Sequence, residues 1–325
     1  MKKRLVSLLL AAGLIAGLAA GCTTKEEGQA EESGGSDDKL VIGAVFADLG
    51  NTSYVSMGKK MEAKAKELDA EFMLKDTGND SSVLVDVIEN FITVGCDVII
   101  EQNSAQEVTE DVNNRAKEAG IKIISFDSEM DLADACYLAD NYELGYLIGT
   151  MAGEWANKAV QGKAEFGMMT ASSYDFILDR QKGIEEGLKE VSPDSKFVIE
   201  TDTVTTTDGM EAGENFLQAY PGLNGVCGIN DSVVLGAYEA FKGSDRTGDD
   251  VGLFACDGTI EGLTAVAEGS IHRGTVSLHL NDVGEQMVET GVKLVKGEGI
   301  GEKIQYFPME QVTVDNVQEF LDELK

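Results

Sequence analysis

The sequence predicts an α/β protein made of two doubly wound, parallel-sheet domains. Ten short runs rich in β-branched and apolar residues recur along the chain. The segments between them repeat apolar residues at three- and four-residue spacing, as amphipathic helices do. The three prolines, Pro193, Pro221 and Pro308, interrupt no helical pattern. Alternation of this kind implies parallel strands covered by helices on both faces. Ten strands are many for one open sheet, so two sheets are the economical solution.

The predicted strands are Leu40 to Phe46, Glu71 to Lys75, Asp97 to Glu101, Lys122 to Phe126 and Cys136 to Ala139, then Lys163 to Met169, Lys196 to Thr201, Gly225 to Ile229, Val251 to Cys256 and Gly274 to Leu278. Among the predicted helices are Ser56 to Leu68, Val83 to Val94, Glu107 to Ala119 and Arg180 to Glu190. In open α/β sheets ligands bind beyond the carboxyl ends of the strands. The candidate positions are therefore Asp48 to Tyr54, Asn103, Asp127 and Ser128, Asp140 and Asn141, Ser172 to Asp175, Asn230 and Asp231, Asp257 and Gly258, and His279 to Asn281. They are almost all polar, uncharged or acidic, which suits a polyhydroxylated ligand, because carboxylates accept hydrogen bonds while amides both donate and accept.

Residues 1–21 read as a signal peptide: a cationic start at Lys2, Lys3 and Arg4, an apolar stretch, and small residues before Cys22. The apolar stretch is too short, and too interrupted by glycine, for a membrane-spanning helix. Residues 22–39 are rich in Glu, Gly, Ser and Asp, cannot bury a core, and read as a tether. The net charge of −32 becomes more negative still once the three leader cations are removed. So acidic a chain is a poor partner for nucleic acid, whose binding is dominated by Lys and Arg on phosphates. Cys96, Cys136, Cys227 and Cys256 each lie in or beside an apolar run, without metal-like spacing, and read as buried thiols; a disulfide is left open.

Enzyme motifs are absent from the sequence. The only histidines, His272 and His279, lack metalloprotease spacing, and there is no Gly-x-Ser-x-Gly elbow or phosphate-binding loop. The dinucleotide fingerprint is missing after the first strand, where Ala47-Asp-Leu-Gly-Asn51 stands instead. No catalytic residues, metal or cofactor are expected.

The segment Leu18-Ala-Ala-Gly-Cys22 resembles the bacterial lipobox. That resemblance implies a diacylglyceryl group on Cys22, and two acyl chains give durable anchoring. Over essentially Leu40 to Lys325 the chain resembles the type I periplasmic binding proteins of the ribose and galactose group. The resemblance is carried by Gly50-Asn-Thr-Ser-Tyr-Val-Ser56, Gly95-Cys-Asp-Val-Ile-Ile100, Ile123-Ile-Ser-Phe-Asp127, Asp140-Asn-Tyr-Glu-Leu-Gly145, Asp179-Arg-Gln-Lys-Gly183, Ile229-Asn-Asp-Ser-Val-Val-Leu-Gly-Ala237 and Cys256-Asp-Gly-Thr259, in that order. It implies two lobes joined by a hinge of three crossings near Asn141, His279 and Pro308, which traps a ligand by closing. The lobes would be residues 40–141 with 279–308, and 142–278 with 309–325.

The family pattern carries a ligand-binding amide onto Asn51, an aromatic wall onto Tyr54, carboxylates onto Asp127 and Asp257, and an amide onto Asn230. Ser128, Asn141, Tyr174, Arg180 and His279 complete the expected site. Helix capping is the competing role for Asn230 and Asp257, and an ion pair for Arg180. Where ribose binders place two arginines, this chain has Ser128 and Leu178, so an anionic ligand is not expected. The resemblance implies a monomeric solute-binding lipoprotein that serves an ABC permease and ATPase with a sugar or polyol. Presentation of a sugar-derived signal to a membrane receptor is the alternative.

Overall fold

The computed structural model describes residues 39–324 apart from Asn51 and Ser104. The expected signal peptide, the expected lipidation site Cys22, the expected tether (taken as residues 22–39) up to Asp38, and the expected ligand contact of Asn51 lie outside the described residues. Two six-stranded sheets carry the fold. The first comprises β1 (Val41–Phe46), β2 (Glu71–Asp76), β3 (Val98–Gln102), β4 (Lys122–Phe126), β5 (Ala135–Leu138) and β11 (Ile304–Tyr306), in the order β11-β5-β4-β3-β1-β2. The second comprises β6 (Glu165–Thr170), β7 (Lys196–Asp202), β8 (Gly225–Gly228), β9 (Gly252–Asp257), β10 (His272–Ser277) and β12 (Glu310–Thr313), in the order β12-β10-β9-β8-β6-β7. Every pairing is parallel except that of β10 with β12.

The fold class is the predicted one, with two strands more than the sequence suggested. β11 and β12 have three and four residues and are largely not buried, so neither presents an apolar run. The chain passes between the sheets three times: from β5 to helix α4 (Asn141–Ala159), from β10 to helix α9 (Leu280–Lys296), and from β11 to β12. Helix α4 packs against β9 and β10, whereas α9 packs against β3, β4 and β5. A single cluster of buried apolar side chains runs from Ile42, Phe46 and Ile100 to Phe166, Met168 and Phe254.

The tightest helix pair is α4 with α5 (Asp175–Val191). Its closeness depends on glycine. A methyl at Gly145 would meet the carbonyl oxygen of Arg180, and one at Gly183 would meet the carbonyl oxygen of Tyr142. Trp155, on α4, sits against Phe166 and Phe254 at centroid distances of 6.0 and 5.8 Å, a core role rather than a ligand platform. The four cysteines are buried free thiols.

Candidate ligand-binding cleft

Two strand ends on opposite sheets set the site. Asp127 follows β4 and Asp257 closes β9, and both take positive φ, 62° and 102°. Non-glycine residues in this region are strained, and such strain persists where the surroundings hold it, often at functional sites. The turns aim both carboxyl groups into one cleft of about 240 Å³. Its wall also includes Tyr54, Tyr174, Arg180 and Asn230. The volume lies below the ~300 to 1,000 Å³ of pockets for drug-sized ligands, so a monosaccharide-sized solute fits better.

Tyr54 lies in the first turn of α1 (Thr52–Glu67), four residues earlier than the predicted helix start, rather than in a loop. Its ring stands edge-on to Phe126 at 5.9 Å, and its hydroxyl accepts from Gln102 Nε2 at 3.1 Å. Burial pushes the phenol pKa up, and the charges of Asp127 and Asp257 push it further. Burial also raises the Asp127 carboxyl, while Arg180 and a hydrogen bond from Gln102 oppose the shift. Asp257 is pushed up to about 7, first by burial and then by the charge of Asp231, with Arg180 opposing. Asp231 itself is wholly buried behind the cleft. Its Oδ2 accepts from the Thr259 amide and hydroxyl at 2.8 and 3.0 Å, and its Oδ1 stands 3.5 Å from His272 Nε2.

Among the described residues Arg180 is the only basic one lining the cleft. It is buried, donating from Nε and Nη2 to Asn141 Oδ1 and from Nη1 to the Ile229 carbonyl oxygen. Among the described residues no carboxylate accepts a hydrogen bond from it. Asn230 does cap α7 (Asp231–Gly243), its Oδ1 accepting from the Val233 amide at 2.9 Å. The amide nitrogen is left for other partners. Asp257 caps nothing: Thr259 caps α8 (Ile260–Ala267), accepting from the Gly262 amide at 3.0 Å.

Three expected site residues do not line the cleft. Ser128 donates its hydroxyl to the Asn103 carbonyl oxygen at 2.8 Å. Asn141 reaches the site only through Arg180. His279, at φ 46°, lines an adjoining cavity of about 50 Å³ and lies 3.7 Å from Glu310 and 4.0 Å from Asp282. Leu280, within the predicted stretch His279 to Asn281, lines the cleft, and so do apolar residues that were not expected there: Phe126, Phe176, Ile177, Leu278 and Phe307. Phe126 ends a strand, whereas the predicted positions lie beyond strand ends. Alternation of side chains along the strand was the signal that could have found it.

Two parallel sheets, three crossings and a cleft between strand ends define a two-lobed solute-binding architecture. The chain matches the family described as the periplasmic binding protein domain over residues 42–299, and it belongs to that family. It is 27% identical over 301 residues to the xylitol-binding protein of Mycolicibacterium smegmatis, covering 89% of this chain and 81% of that one. It is 23% identical over 307 residues to the ribose import binding protein of Bacillus subtilis, covering 93% of this chain and 96% of that one. A solved ABC transporter solute-binding protein from Bacillus halodurans, with bound myo-inositol, shares 26% identity and superposes with a TM-score of 0.74, covering 89% of this chain and 99% of that one. Members of this family are extracytoplasmic binding components of transport systems, not enzymes.

Proposed function

We propose that the chain captures a sugar or polyol outside the cytoplasm and delivers it to an ABC importer. The observation that supports this best is the meeting of Asp127 from one half with Asp257 and Asn230 from the other in one small cleft. Carboxylates grip pairs of hydroxyls with charge-assisted hydrogen bonds, and an amide can serve both sides of a hydroxyl. Aromatic faces such as Tyr54 and Phe126 cover the apolar C–H faces of a ring. The xylitol, ribose and myo-inositol named for similar proteins are all polyhydroxylated, in keeping with this chemistry.

In this proposal Tyr54, Asp127, Tyr174, Arg180, Asn230 and Asp257 contact the solute, and Asn51 joins them from the first loop. Residues 40–141 with 279–308 form one moving lobe, and 142–278 with 309–325 the other. Closure about the three crossings excludes water. Cleavage before Cys22 and lipidation of its thiol hold the chain, as a monomer, at the membrane surface.

A thermal-shift screen of the full chain against neutral sugars and polyols tests the proposal. A ligand at about 100 times its dissociation constant stabilises by about 2.7 kcal/mol. If no sugar or polyol shifts the transition, the proposal fails.

A further inference from the structure

The cleft holds more negative than positive charge. Asp127 and Asp257 reach it from opposite halves and share its wall with Tyr54. A third carboxylate, Asp231, stands behind Asp257. Against these, Arg180 is the only cation in the wall among the described residues, and its Nε and Nη2 are committed to Asn141. Ser128, beside Asp127, adds no charge, and its hydroxyl is taken by a backbone carbonyl. When the cleft closes on a neutral solute, its carboxyl groups must either be sealed in with unbalanced negative charge or take up protons, and burying unbalanced charge is costly.

We propose that the preferred solute is an amino sugar or aminated polyol, whose ammonium sits between Asp127 and Asp257 beside the Tyr54 ring while its hydroxyls take the other polar groups. The proposal rests on the sugar-or-polyol function above and narrows it. A protonated amine donates to both carboxylates and replaces water as their partner in the closed state. Tyr54, Phe126 and Phe307 supply aromatic rings to the same wall, and a cation is favoured beside such rings. The raised pKa of Asp257 is compatible with this: burial pushes it up first and the charge of Asp231 second, and a cation placed beside the carboxyl would oppose both.

Calorimetric titration of the full chain with matched sets tests this: glucose, glucosamine and glucuronate, then galactose, galactosamine and galacturonate, then myo-inositol and an amino-inositol. At least one amine is expected to bind about tenfold or more tighter than its hydroxyl parent, with the acid weakest. In Asp257→Asn, and separately in Asp127→Asn, the amine-to-parent affinity ratio falls toward one; the two variants guard against one failing to fold. Parents that bind as tightly as their amines overturn the amine preference but leave the sugar-or-polyol function standing. Binding by no member of any set overturns that function, and the narrower proposal with it.

Discussion

Arg180 and Asn141 are joined by two hydrogen bonds to a single oxygen: Nε and Nη2 of the guanidinium donate to Asn141 Oδ1 at 3.1 and 2.6 Å. Asn141 opens α4 at the first crossing, so the orientation of Arg180 is held by a residue where the chain passes between the sheets. Asn141→Ala leaves two buried donors without a partner, at a cost of about 1 to 3 kcal/mol. A lower denaturant midpoint together with weaker solute binding is expected. Unchanged affinity would show that Arg180 keeps its place without this contact.

Asp257 and Thr259 separate binding from capping. Asp257→Ala is expected to weaken solute binding tenfold to a hundredfold, where each tenfold is about 1.4 kcal/mol, with little loss of stability. Thr259→Ala removes the cap of α8 and is expected to cost about 1 kcal/mol of stability. Measuring affinity and unfolding on both purified variants decides the matter. A destabilised Asp257→Ala with full affinity would remove Asp257 from the site.

The pH dependence of the empty protein follows from the same carboxyl. With its pKa raised from 3.8 to about 7, folded Asp257 holds a proton that the unfolded chain has already released. Its contribution to stability is full below about pH 4 and is lost as pH rises through about 7. Glu101, buried and also pushed up to about 7 despite hydrogen bonds from Asn113 and Asn103, acts in the same direction. Asp257→Asn removes only its own share. The variant's melting temperature is therefore expected to gain on that of the parent from about pH 5 to pH 8. A constant difference across that range would contradict the shift.

Gly149 tests the contact between α4 and α5 away from the cleft. A methyl there would meet the Ile184 carbonyl oxygen. Although alanine favours helix, Gly149→Ala is expected to destabilise by about 1 to 3 kcal/mol through overpacking. Urea denaturation with an unchanged or raised midpoint would mean that the helices separate at little cost.

For the leader, Cys22→Ser removes the thiol on which a lipid would be placed. Solute binding is expected to persist while the protein leaves the membrane fraction for the soluble one. Unaltered fractionation of the variant would exclude lipid anchoring through Cys22.

Much of this arrangement is legible in the sequence because parallel sheets impose a simple rule. Asp127, Asn230 and Asp257 could be placed at a cleft from their positions after apolar runs alone. What was missed obeys other physics. β11 and β12 are too short to show a period, and become strands only because β5 and β10 offer open edges. Phe307 enters the wall from the third crossing, where sequence distance gives no hint of proximity to Phe126, although the two rings stack at 5.6 Å. Asn230 illustrates a different limit: capping and ligand binding use different atoms of one amide, so a local signal for one does not argue against the other.

The late position of β11 and β12 has a consequence for how the chain matures. Each sheet takes its outermost strand from residues after 303, so each is complete only when the final stretch of polypeptide has arrived. Neither sheet can therefore reach its finished form early in synthesis, and long-range strand pairing is slow in any case. Loss of the segment from β11 to β12 would therefore be a defect felt in both sheets at once, one outer strand from each.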